Sequence, residues 1–392
     1  MTHNMTRRQM LQTTGISAAV FAAGLQHPAQ AAPQAKVQSI EVISKEPQYY
    51  HGWPTVAQRA DGELLLVYSG GREHHVCPFG RVELMRSHDG GASWSWPRVV
   101  LDGPIDDRDA GVVETADGSI LITTFTSLAY EPILERAVAA QPGDKGAMPA
   151  DELARWQAAN NRVSAAQRER DIGRWMIRSD DGGLTFSARY NCLVDSPHGP
   201  ILLSDGRLLY PGKEVLKPDG RVAVAESTDD GKSWRFLSDI PVRPGDDRND
   251  YHELHGVEAA DGRIVVQIRN HNKKNHRETL QCESHDGGKT WSVPRSIGVW
   301  GLPSHLLRLK DSRLLMSYGY RRKPFGNQAR VSSDHGQTWS DPITISDDGI
   351  GGDLGYPSTV ELEDGTLLTV WYERMQESPR AVLRQARWTL TG

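Results

Sequence analysis

The chain has few cysteines, little net charge and no apolar run long enough to cross a bilayer. Three cysteines in 392 residues, Cys77, Cys192 and Cys282, cannot all pair with one another, and their spacing matches no metal-binding motif. A formal net charge of −5 gives no basis for a nucleic-acid surface. These absences give no indication of a nucleic-acid partner, a cofactor or a metal.

The first 31 residues have the pattern of an export signal. Thr6–Gln12 resembles a twin-arginine signal, the apolar stretch Gly15–Leu25 follows, and Ala29–Ala31 has the small-residue pattern of a cleavage site. The apolar stretch is too short to span a bilayer. The alternative is an accidental basic start on a disordered tail. We expect a bacterial protein that is exported already folded, is periplasmic or secreted, begins near Ala32 when mature and is not inserted in a membrane.

Five copies of a short motif, Ser-x-Asp-x-Gly-x-Thr/Ser-aromatic, recur along the chain. They occupy Ser87–Trp94, Ser179–Phe186, Ser227–Trp234, Ser284–Trp291 and Ser332–Trp339. Asp and Gly at this spacing predict a tight turn, because the carboxylate accepts hydrogen bonds from nearby backbone N–H groups and Gly adopts a positive φ. The aromatic residue can anchor that turn on apolar surface. Recurrence at intervals of roughly fifty residues indicates a repeat architecture.

A second repeated signal, a turn of the Asp/Gly type followed by an apolar strand, indicates six units. These turns begin at Asp61, Asp117, Asp205, Asp261, Asp311 and Asp364. They are 50 to 56 residues apart, except for one step of 88 residues. Units of this length with about four short strands are typical of propeller blades. The sequence therefore predicts an all-β, six-bladed β-propeller over residues 32–392, in which the early strand Val37–Ile43 completes the last blade and closes the ring.

The long step contains a segment of a different kind, at about residues 131–171. It is rich in Ala, Glu, Arg and Gln and lacks strand alternation, so it predicts helix, especially over Asp151–Asp171. The insertion could overhang one face of the propeller as part of a substrate wall. A plain surface decoration is an equal alternative.

Polar residues open the predicted innermost strands and end the second strands. Because antiparallel neighbours place the start of one strand beside the end of the next, these groups should converge on one central cleft. The first set comprises His51, Asp109, His198, His255, His305 and Tyr356, and the second comprises Arg72, Lys213 or Glu214, Arg269, Arg321 or Arg322, and Glu373. One alternative is that these residues only solvate a loop-rich rim. Another is a metal site built from the histidines, although no His spacing here is a recognised motif.

The five motifs resemble the Asp boxes, or bacterial neuraminidase repeats, of the sialidase superfamily, whose fold is a six-bladed β-propeller. The similarity covers essentially the whole of the expected mature chain. The boxes are specific for the fold but weak for activity, because in that superfamily they lie on outer turns away from the catalytic face. Activity has to be argued from the site.

The resemblance implies a tyrosine nucleophile assisted by a glutamate. The segment around Gly355-Tyr356 is similar to the one that holds the nucleophile, which makes Tyr356 the matching residue. Glu253 and Arg269 fall where the superfamily has the glutamate and one arginine. Because a tyrosine is a poor nucleophile at its ordinary pKa of about 10, Glu253 would act as its base.

Further site residues follow from the same resemblance. Three arginines grip the substrate carboxylate in sialidases; Arg72 matches a second of them, and Arg321 or Arg322 a third. Asp109 matches an aspartate that lines the substrate pocket. His51, His198, His255 and His305 complete the expected substrate-binding set because of their repeated position at strand openings, not because of the resemblance.

Two departures from the family pattern affect the expected activity. Gly52 stands where sialidases have their first arginine. The loop after Arg72 reads Glu73-His74-His75 and offers no acid/base aspartate, so His74 or His75 is expected to transfer the proton, with Asp109 as the other candidate. Loss of a bidentate arginine contact of about 2–3 kcal/mol is enough to change substrate choice.

The sequence therefore predicts an exported exo-glycosidase that removes a terminal acidic or polar sugar from an oligosaccharide or glycoconjugate. One alternative is a polysaccharide lyase, in which an arginine neutralises a uronate carboxylate while Tyr356 or His255 moves the proton. The other is a propeller that binds glycans or proteins without turnover. The sugar, the linkage and the oligomeric state are left open.

Overall fold

The structure, a computed structural model, describes residues 32–217 and 219–391. The expected export signal lies outside these residues. Six antiparallel sheets of four strands each form the six blades of a β-propeller, and the predicted fold class is confirmed. Among the described residues, no helix combines the length and the apolar character that a membrane span requires.

The blades follow one another along the chain, and the last is completed by the first strand. The strands are β1 (Gln34–Val42), β2 (Tyr50–Gln58), β3 (Leu64–Arg72), β4 (Arg81–Ser87), β5 (Arg98–Leu101), β6 (Asp106–Glu114), β7 (Ile120–Ser127), β8 (Arg174–Ser179), β9 (Tyr190–Asn191), β10 (Ile201–Leu202), β11 (Leu208–Lys213), β12 (Val222–Ser227), β13 (Arg235–Asp239), β14 (Tyr251–Glu258), β15 (Ile264–Asn270), β16 (Glu278–Ser284), β17 (Arg295–Trp300), β18 (Ser304–Arg308), β19 (Leu314–Tyr320), β20 (Phe325–Ser332), β21 (Ile343–Gly349), β22 (Leu354–Glu361), β23 (Leu367–Arg374) and β24 (Ala381–Thr391). Blades 1 to 5 run in order from β2 to β21, and blade 6 consists of β22, β23, β24 and β1. The first-numbered strand of each blade, from β2 to β22, is the innermost, as the sequence predicted.

The ring is closed by pairing between the two ends of the described chain. Strand β1 runs antiparallel to β24, with Gln34 opposite Thr391 and Val42 opposite Arg384. This pairing gives blade 6 its fourth strand and covers an edge that would otherwise be open. The predicted closing strand is confirmed.

The core consists of six apolar clusters, one between each pair of neighbouring blades. Successive residues of a strand therefore pack against different neighbouring blades. In β3, Leu64 and Leu66 pack against blade 6, while Leu65 and Val67 pack against blade 2. Strands buried on both faces read as continuous apolar runs, which explains the Leu-Leu-Leu-Val sequence after the Asp/Gly turn.

In blades 1 to 5, the Asp boxes form turns at the end of the blade that lies away from the strand openings. In the first box, Ser87 Oγ donates to Asp89 Oδ1 (2.7 Å), and Asp89 in turn accepts from Ser93 N (2.9 Å). Hydrogen bonds from Ser93 lower the pKa of Asp89 to about 2. Ser87 lies opposite Leu64, which pairs with Gln58, whereas Tyr50 lies at the other end of the sheet. The boxes therefore stabilise the face opposite the cleft.

The insertion is helical, as predicted, with α1 (Glu131–Ala139), α2 (Ala150–Asn161) and α3 (Ala165–Asp171). Ser164 caps α3 by accepting from Gln167 N, and Gln167 bonds back to Ser164 N. Cys77, Tyr130 and Trp156 form a small buried cluster between the insertion and the loop after β3. Trp156 Nε1 also donates to Glu73 of that loop (2.9 Å). The helices therefore pack on blade 1 beside the end at which β2 begins.

Candidate active site

Four innermost strands are irregular near the end at which they begin. The register shifts around Trp53 in β2, Asp109 in β6, Glu253 in β14 and Tyr356 in β22. Such bulges redirect side chains and are common beside active sites. Trp53, Asp109 and Tyr356 also have φ values of 53°, 51° and 53°, which are rare for residues other than Gly. Strain repeated at equivalent points of three blades indicates a functional cleft.

Tyr356, Glu253 and Arg269 form one hydrogen-bonded group from blades 4 and 6. Tyr356 Oη donates to Glu253 Oε1 at 2.5 Å. Arg269 Nη1 donates to Glu253 Oε1 at 2.7 Å and to Tyr356 Oη at 3.1 Å. Glu253 Oε2 is buried and has no hydrogen-bond partner among the described residues. The geometry therefore brings together three residues that the sequence predicted as site members.

The charges of this group are set by burial and by the neighbours. Burial works against ionisation of Glu253, but Arg269 and then His252 outweigh it and lower the pKa of Glu253 to about 2. Burial and then the Glu253 carboxylate raise the pKa of Tyr356 well above its ordinary value. The pair therefore consists of a carboxylate and a neutral phenol, which is the state needed for Glu253 to accept the phenolic proton.

A cavity of about 270 Å³ opens beside Glu253. Its lining includes Asp109, Asp195, Lys213 and His252. Burial raises the pKa of Asp109 to about 7, with Arg108 acting in the opposite direction and Glu253 in the same one. Asp109 can therefore hold and release a proton near neutral pH.

Two further arginines lie against the aromatic side chains of the cleft. The Arg321 guanidinium carbon is 5.8 Å from the centre of the Tyr356 ring, and that of Arg108 is 4.4 Å from the Trp53 ring. Arg321 Nη2 and Arg108 Nε are buried without hydrogen-bond partners among the described residues. Together with Arg269, they make the cleft suited to an anion.

Arg72 lies in the interior, and its expected role as a substrate-binding residue is corrected. Its side chain is fully buried and donates to both carboxylate oxygens of Asp106, at 2.5 and 3.0 Å. It also donates to the carbonyl oxygens of His74 and His75, and its guanidinium lies 4.9 Å from the Trp53 ring. Arg72 thus holds the loop after β3 in place.

The two histidines of that loop differ. Both ring nitrogens of His74 are engaged, Nε2 with Glu152 of α2 at 2.8 Å and Nδ1 with Arg380 at 3.1 Å. His74 therefore joins the insertion to blade 1, and its expected proton-transfer role is corrected. His75 packs edge-on against Trp53, with ring centres 5.0 Å apart, at the border of the cleft.

The histidines that open three innermost strands meet in the central channel. The ring centres of His255 and His305 are 4.5 Å apart, and His198 lies 5.3 and 5.0 Å from them. All three are buried, and burial lowers their pKa values, so they are neutral. His255 Nδ1 accepts from the backbone N–H of Leu306 at 2.9 Å. The expected substrate contact of this trio is corrected, because the buried rings pack on one another and their Nδ1 atoms are engaged within the protein, that of His305 with Thr359 N and that of His198 with Thr55 Oγ1.

Two other expected substrate contacts are also corrected. His51 is fully buried against the Tyr68 ring, and its Nδ1 lies 2.9 Å from Ser44 Oγ. The guanidinium of Arg322 is exposed and stacks on Trp300 at 3.8 Å. Arg321, its neighbour in the chain, is the one directed at Tyr356.

The sequence interpretation missed Arg108, Asp195 and Asp353. Arg108 directly precedes Asp109 at the start of an innermost strand, so its position in the repeat could have identified it as a candidate site residue. Asp195 lies in an irregular segment, and its buried Oδ1 has no partner in the described part of the chain. Asp353 accepts from Tyr50 Oη and Tyr372 Oη, at 2.9 and 3.2 Å, and such contacts between distant strands leave no local pattern.

A closed six-bladed propeller with Asp boxes on one face and a Tyr–Glu–Arg group on the other defines the class of protein. The BNR repeat-like domain family matches residues 159–369, more than half of the chain. The chain belongs to this family and is a divergent member of the sialidase superfamily.

Individual relatives are distant. The chain is 24% identical over 351 residues to a sialidase of Bacteroides fragilis (strain YCH46), and the match covers 82% of this chain and 59% of that protein. A crystal structure of a Dyadobacter fermentans protein of unknown function has a TM-score of 0.71 at 20% identity, covering 92% of this chain and all of the other. The NanB sialidase from Streptococcus pneumoniae has a TM-score of 0.63 at 14% identity, covering 90% and 70% of the two chains. At these identities the likeness establishes the fold.

Proposed function

We propose that this protein is a glycoside hydrolase that removes a terminal acidic sugar, with Tyr356 as nucleophile and Glu253 as its base. The observation that carries the proposal is the hydrogen bond from Tyr356 Oη to Glu253 Oε1, with Arg269 bonded to both oxygens. The sialidase relatives favour the same class of reaction, and a tyrosine nucleophile is known among glycosidases.

The first step forms a covalent intermediate. Tyr356 Oη bonds to the anomeric carbon while Glu253 accepts the phenolic proton, and the glycosidic oxygen leaves with a proton from a general acid. Water then attacks the anomeric carbon and displaces Tyr356 Oη, so that the bond between this oxygen and the sugar breaks. The former acid takes a proton from that water, and Glu253 returns its proton to Tyr356 Oη. A neutral tyrosine approaches an anionic sugar without charge repulsion.

Asp109 is the general acid in this proposal. Its pKa of about 7 leaves a substantial protonated fraction at neutral pH, and it borders the same cavity as Glu253. His75 is the alternative, because it lies against Trp53 at the edge of the cleft. Its Nδ1 is occupied by contacts to Tyr50 and Asp353, so Nε2 would have to carry the proton.

The sugar should carry a negative charge. Arg269, Arg321 and Arg108 place three guanidinium groups around the aromatic floor formed by Tyr356 and Trp53. Two expected ligands of the substrate carboxylate are missing, because Gly52 stands where sialidases have their first arginine and Arg72 is buried. A sialic acid would therefore be held by a different set of arginines here. Other terminal acidic sugars fit the same description.

A panel of aryl glycosides and acidic oligosaccharides, incubated with the purified protein lacking residues 1–31, tests the proposal. Release of the aglycone from an acidic glycoside, lost in Tyr356→Phe, supports it. A product that absorbs in the ultraviolet through a new double bond would instead indicate a lyase. Binding across the whole panel without turnover would contradict an enzymatic role.

Export is part of the proposal and rests on the sequence of the first 31 residues alone. We expect the full chain to reach the periplasm or medium of a bacterial host through the twin-arginine route. Replacing Arg7 and Arg8 together by Lys should retain the protein in the cytoplasm. An unchanged distribution of this variant between cell fractions would exclude the twin-arginine route.

A further inference from the structure

A second polar cluster lies away from the proposed catalytic group, where blade 1 meets blade 6. It consists of Glu46 from the link between β1 and β2, His51 from β2 and Glu83 from β4. One potential ligand atom from each residue lies within 4.8 Å of the other two. Three different segments of the chain thus supply two carboxylates and one imidazole to a single point.

The position of the cluster follows from the sheet register. Glu83 is directly opposite Tyr68, so both side chains lie on the same face of blade 1. Tyr68 belongs to the apolar cluster between blades 1 and 6, and His51 contacts its ring edge-on at 5.2 Å. The cluster is therefore enclosed in the seam where the ring closes.

Three buried polar atoms in this seam lack partners among the described residues. They are His51 Nε2, Glu83 Oε2 and Tyr68 Oη. His51, Glu83 and Tyr68 are each fully buried. Tyr68 Oη can donate to the Glu83 carboxylate opposite it, whereas His51 Nε2 has no such neighbour among the described residues. Because buried polar groups are almost always paired, this fully buried imidazole nitrogen beside a carboxylate indicates a bound species.

Neighbouring hydrogen bonds leave these atoms available as ligands. Ser44 Oγ contacts Nδ1 of His51 at 2.9 Å, and donation by Nδ1 to this oxygen would leave the Nε2 lone pair free. Arg81 Nε donates to Glu83 Oε1 at 2.7 Å and leaves Oε2 unused. Partners of this kind typically orient the ligands of a metal ion. With Arg81 included, two carboxylates and one guanidinium give a net charge of −1, which favours a cation.

We propose that Glu46, His51 and Glu83 bind a divalent transition-metal ion such as Zn²⁺ or Mn²⁺. One imidazole nitrogen and two carboxylate oxygens suit these ions, whereas Ca²⁺ and Mg²⁺ prefer oxygen alone. Tetrahedral ligands at about 2.1 Å from an ion are about 3.4 Å apart, so the three side chains have to close slightly around it. Glu46 can make this movement because it is only partly buried and lies in a link without regular structure.

The ion would stabilise closure of the ring rather than take part in glycoside cleavage. It would tie the link that leaves the closing strand β1 to two strands of blade 1. The inference is thus independent of the proposed hydrolase activity.

Metal content and spectroscopy of the untagged protein test the site. The protein is stripped with a chelator and titrated with Zn²⁺, Mn²⁺ or Co²⁺, with bound metal measured by mass spectrometry. Glu46→Gln is the test variant, because a partly exposed position should tolerate it, and Glu41→Gln on the exposed side of β1 is its matched control. His51→Ala is a second test variant, which removes the nitrogen ligand.

We expect one tightly bound ion per chain in the wild type and in Glu41→Gln, and an affinity at least about tenfold weaker in Glu46→Gln. Co²⁺ should give a visible spectrum that shows a nitrogen ligand and is lost in His51→Ala. The metal should raise the melting temperature of the wild type and of Glu41→Gln only. The proposal is wrong if no stoichiometric ion binds, or if Glu46→Gln and Glu41→Gln bind it equally.

Discussion

Tyr356 Oη donates to Glu253 Oε1 across 2.5 Å, although 103 residues separate the two in the chain. Each lies in the irregular opening of an innermost strand, one in blade 6 and the other in blade 4. The pairing depends on closure of the ring, because only the complete propeller brings these two blades to a common channel. Function and ring closure are therefore linked.

Replacing Tyr356 by Phe should abolish glycoside cleavage without unfolding the protein. The ring packing against Trp53 and Tyr372 is retained, and only the hydroxyl is lost. We expect kcat to fall by about 10³-fold or more, as for removal of other nucleophiles. Tyr320→Phe, at the end of β19, is the matched control and should keep full activity. A variant of Tyr356 with normal kcat and an unchanged melting curve would remove this residue from the mechanism.

Asp109→Asn should slow cleavage of poor leaving groups far more than that of good ones. A sugar alcohol needs a proton to depart, so loss of the acid should cost about 10²–10⁴-fold. A dinitrophenolate leaves without a proton, and its release should change by no more than about tenfold. His75→Gln is compared on the same substrates, because His75 is the alternative acid. If His75→Gln alone shows the leaving-group dependence, the acid has been misassigned.

The pH profile gives an independent check on the same residue. The pKa of Asp109 is raised to about 7, so kcat/KM should fall as the pH rises through 7 and the acid loses its proton. The pKa of Glu253 is lowered to about 2, so the base should add no acidic limb to the pH profile between about pH 4 and 7.

The raised pKa of Asp109 also makes the stability of the fold depend on pH. The folded state favours the neutral carboxyl group, and this contribution to stability is lost as the pH rises towards 7. Asp109→Asn should therefore become more stable relative to the wild type between about pH 4 and 7 and gain no more above that range, as measured by denaturant unfolding. A constant difference between about pH 4 and 7 would contradict the raised pKa.

The repeats made the fold predictable from the sequence, but they did not predict the direction of individual side chains. The Asp boxes and Asp/Gly turns are local signals, because each needs only a few neighbouring residues to form its turn. They predicted six blades, the closing strand and the position of the cleft. Side-chain direction depends on register, and one bulge reverses it. His51 and Trp53 are two residues apart and would lie on the same face of a regular strand. Two register shifts in β2 lie near them, and the two side chains have different surroundings.

Partners from distant segments explain the other corrections. Arg72 has the position of a substrate ligand, but its buried guanidinium is bound by Asp106, 34 residues further along, and by the carbonyl oxygens of His74 and His75. His198, His255 and His305 repeat at equivalent points as a ligand set would, yet their rings are buried against one another. By contrast, the structure brings Tyr356, Glu253 and Arg269 together as expected. Family resemblance and repeat position agreed on Tyr356 and Arg269, whereas Glu253 was named from the resemblance alone.

Arg321→Gln should weaken binding of acidic sugars specifically. Its guanidinium lies 5.8 Å from the Tyr356 ring, and its Nη2, which has no partner in the described part of the chain, is available to an anion. We expect KM for an acidic substrate to rise about tenfold or more, since a charged hydrogen bond contributes about 1.5–3 kcal/mol. The KM of a neutral analogue should change little. Arg322→Gln, the neighbouring exposed arginine, is the control; equal effects of the two variants would show that only general charge matters.

Arg72→Met should destabilise the fold rather than selectively weaken substrate binding. Removing one partner of the fully buried pair with Asp106 leaves an uncompensated charge, which typically costs about 3–5 kcal/mol. Guanidinium unfolding of the full chain measures this loss, and Arg72→Met combined with Asp106→Asn should recover part of it. Arg374→Met, an exposed arginine at the end of β23, should change stability by no more than about 0.5 kcal/mol. A stable Arg72→Met variant with a raised KM for acidic sugars would instead place this arginine among the substrate ligands.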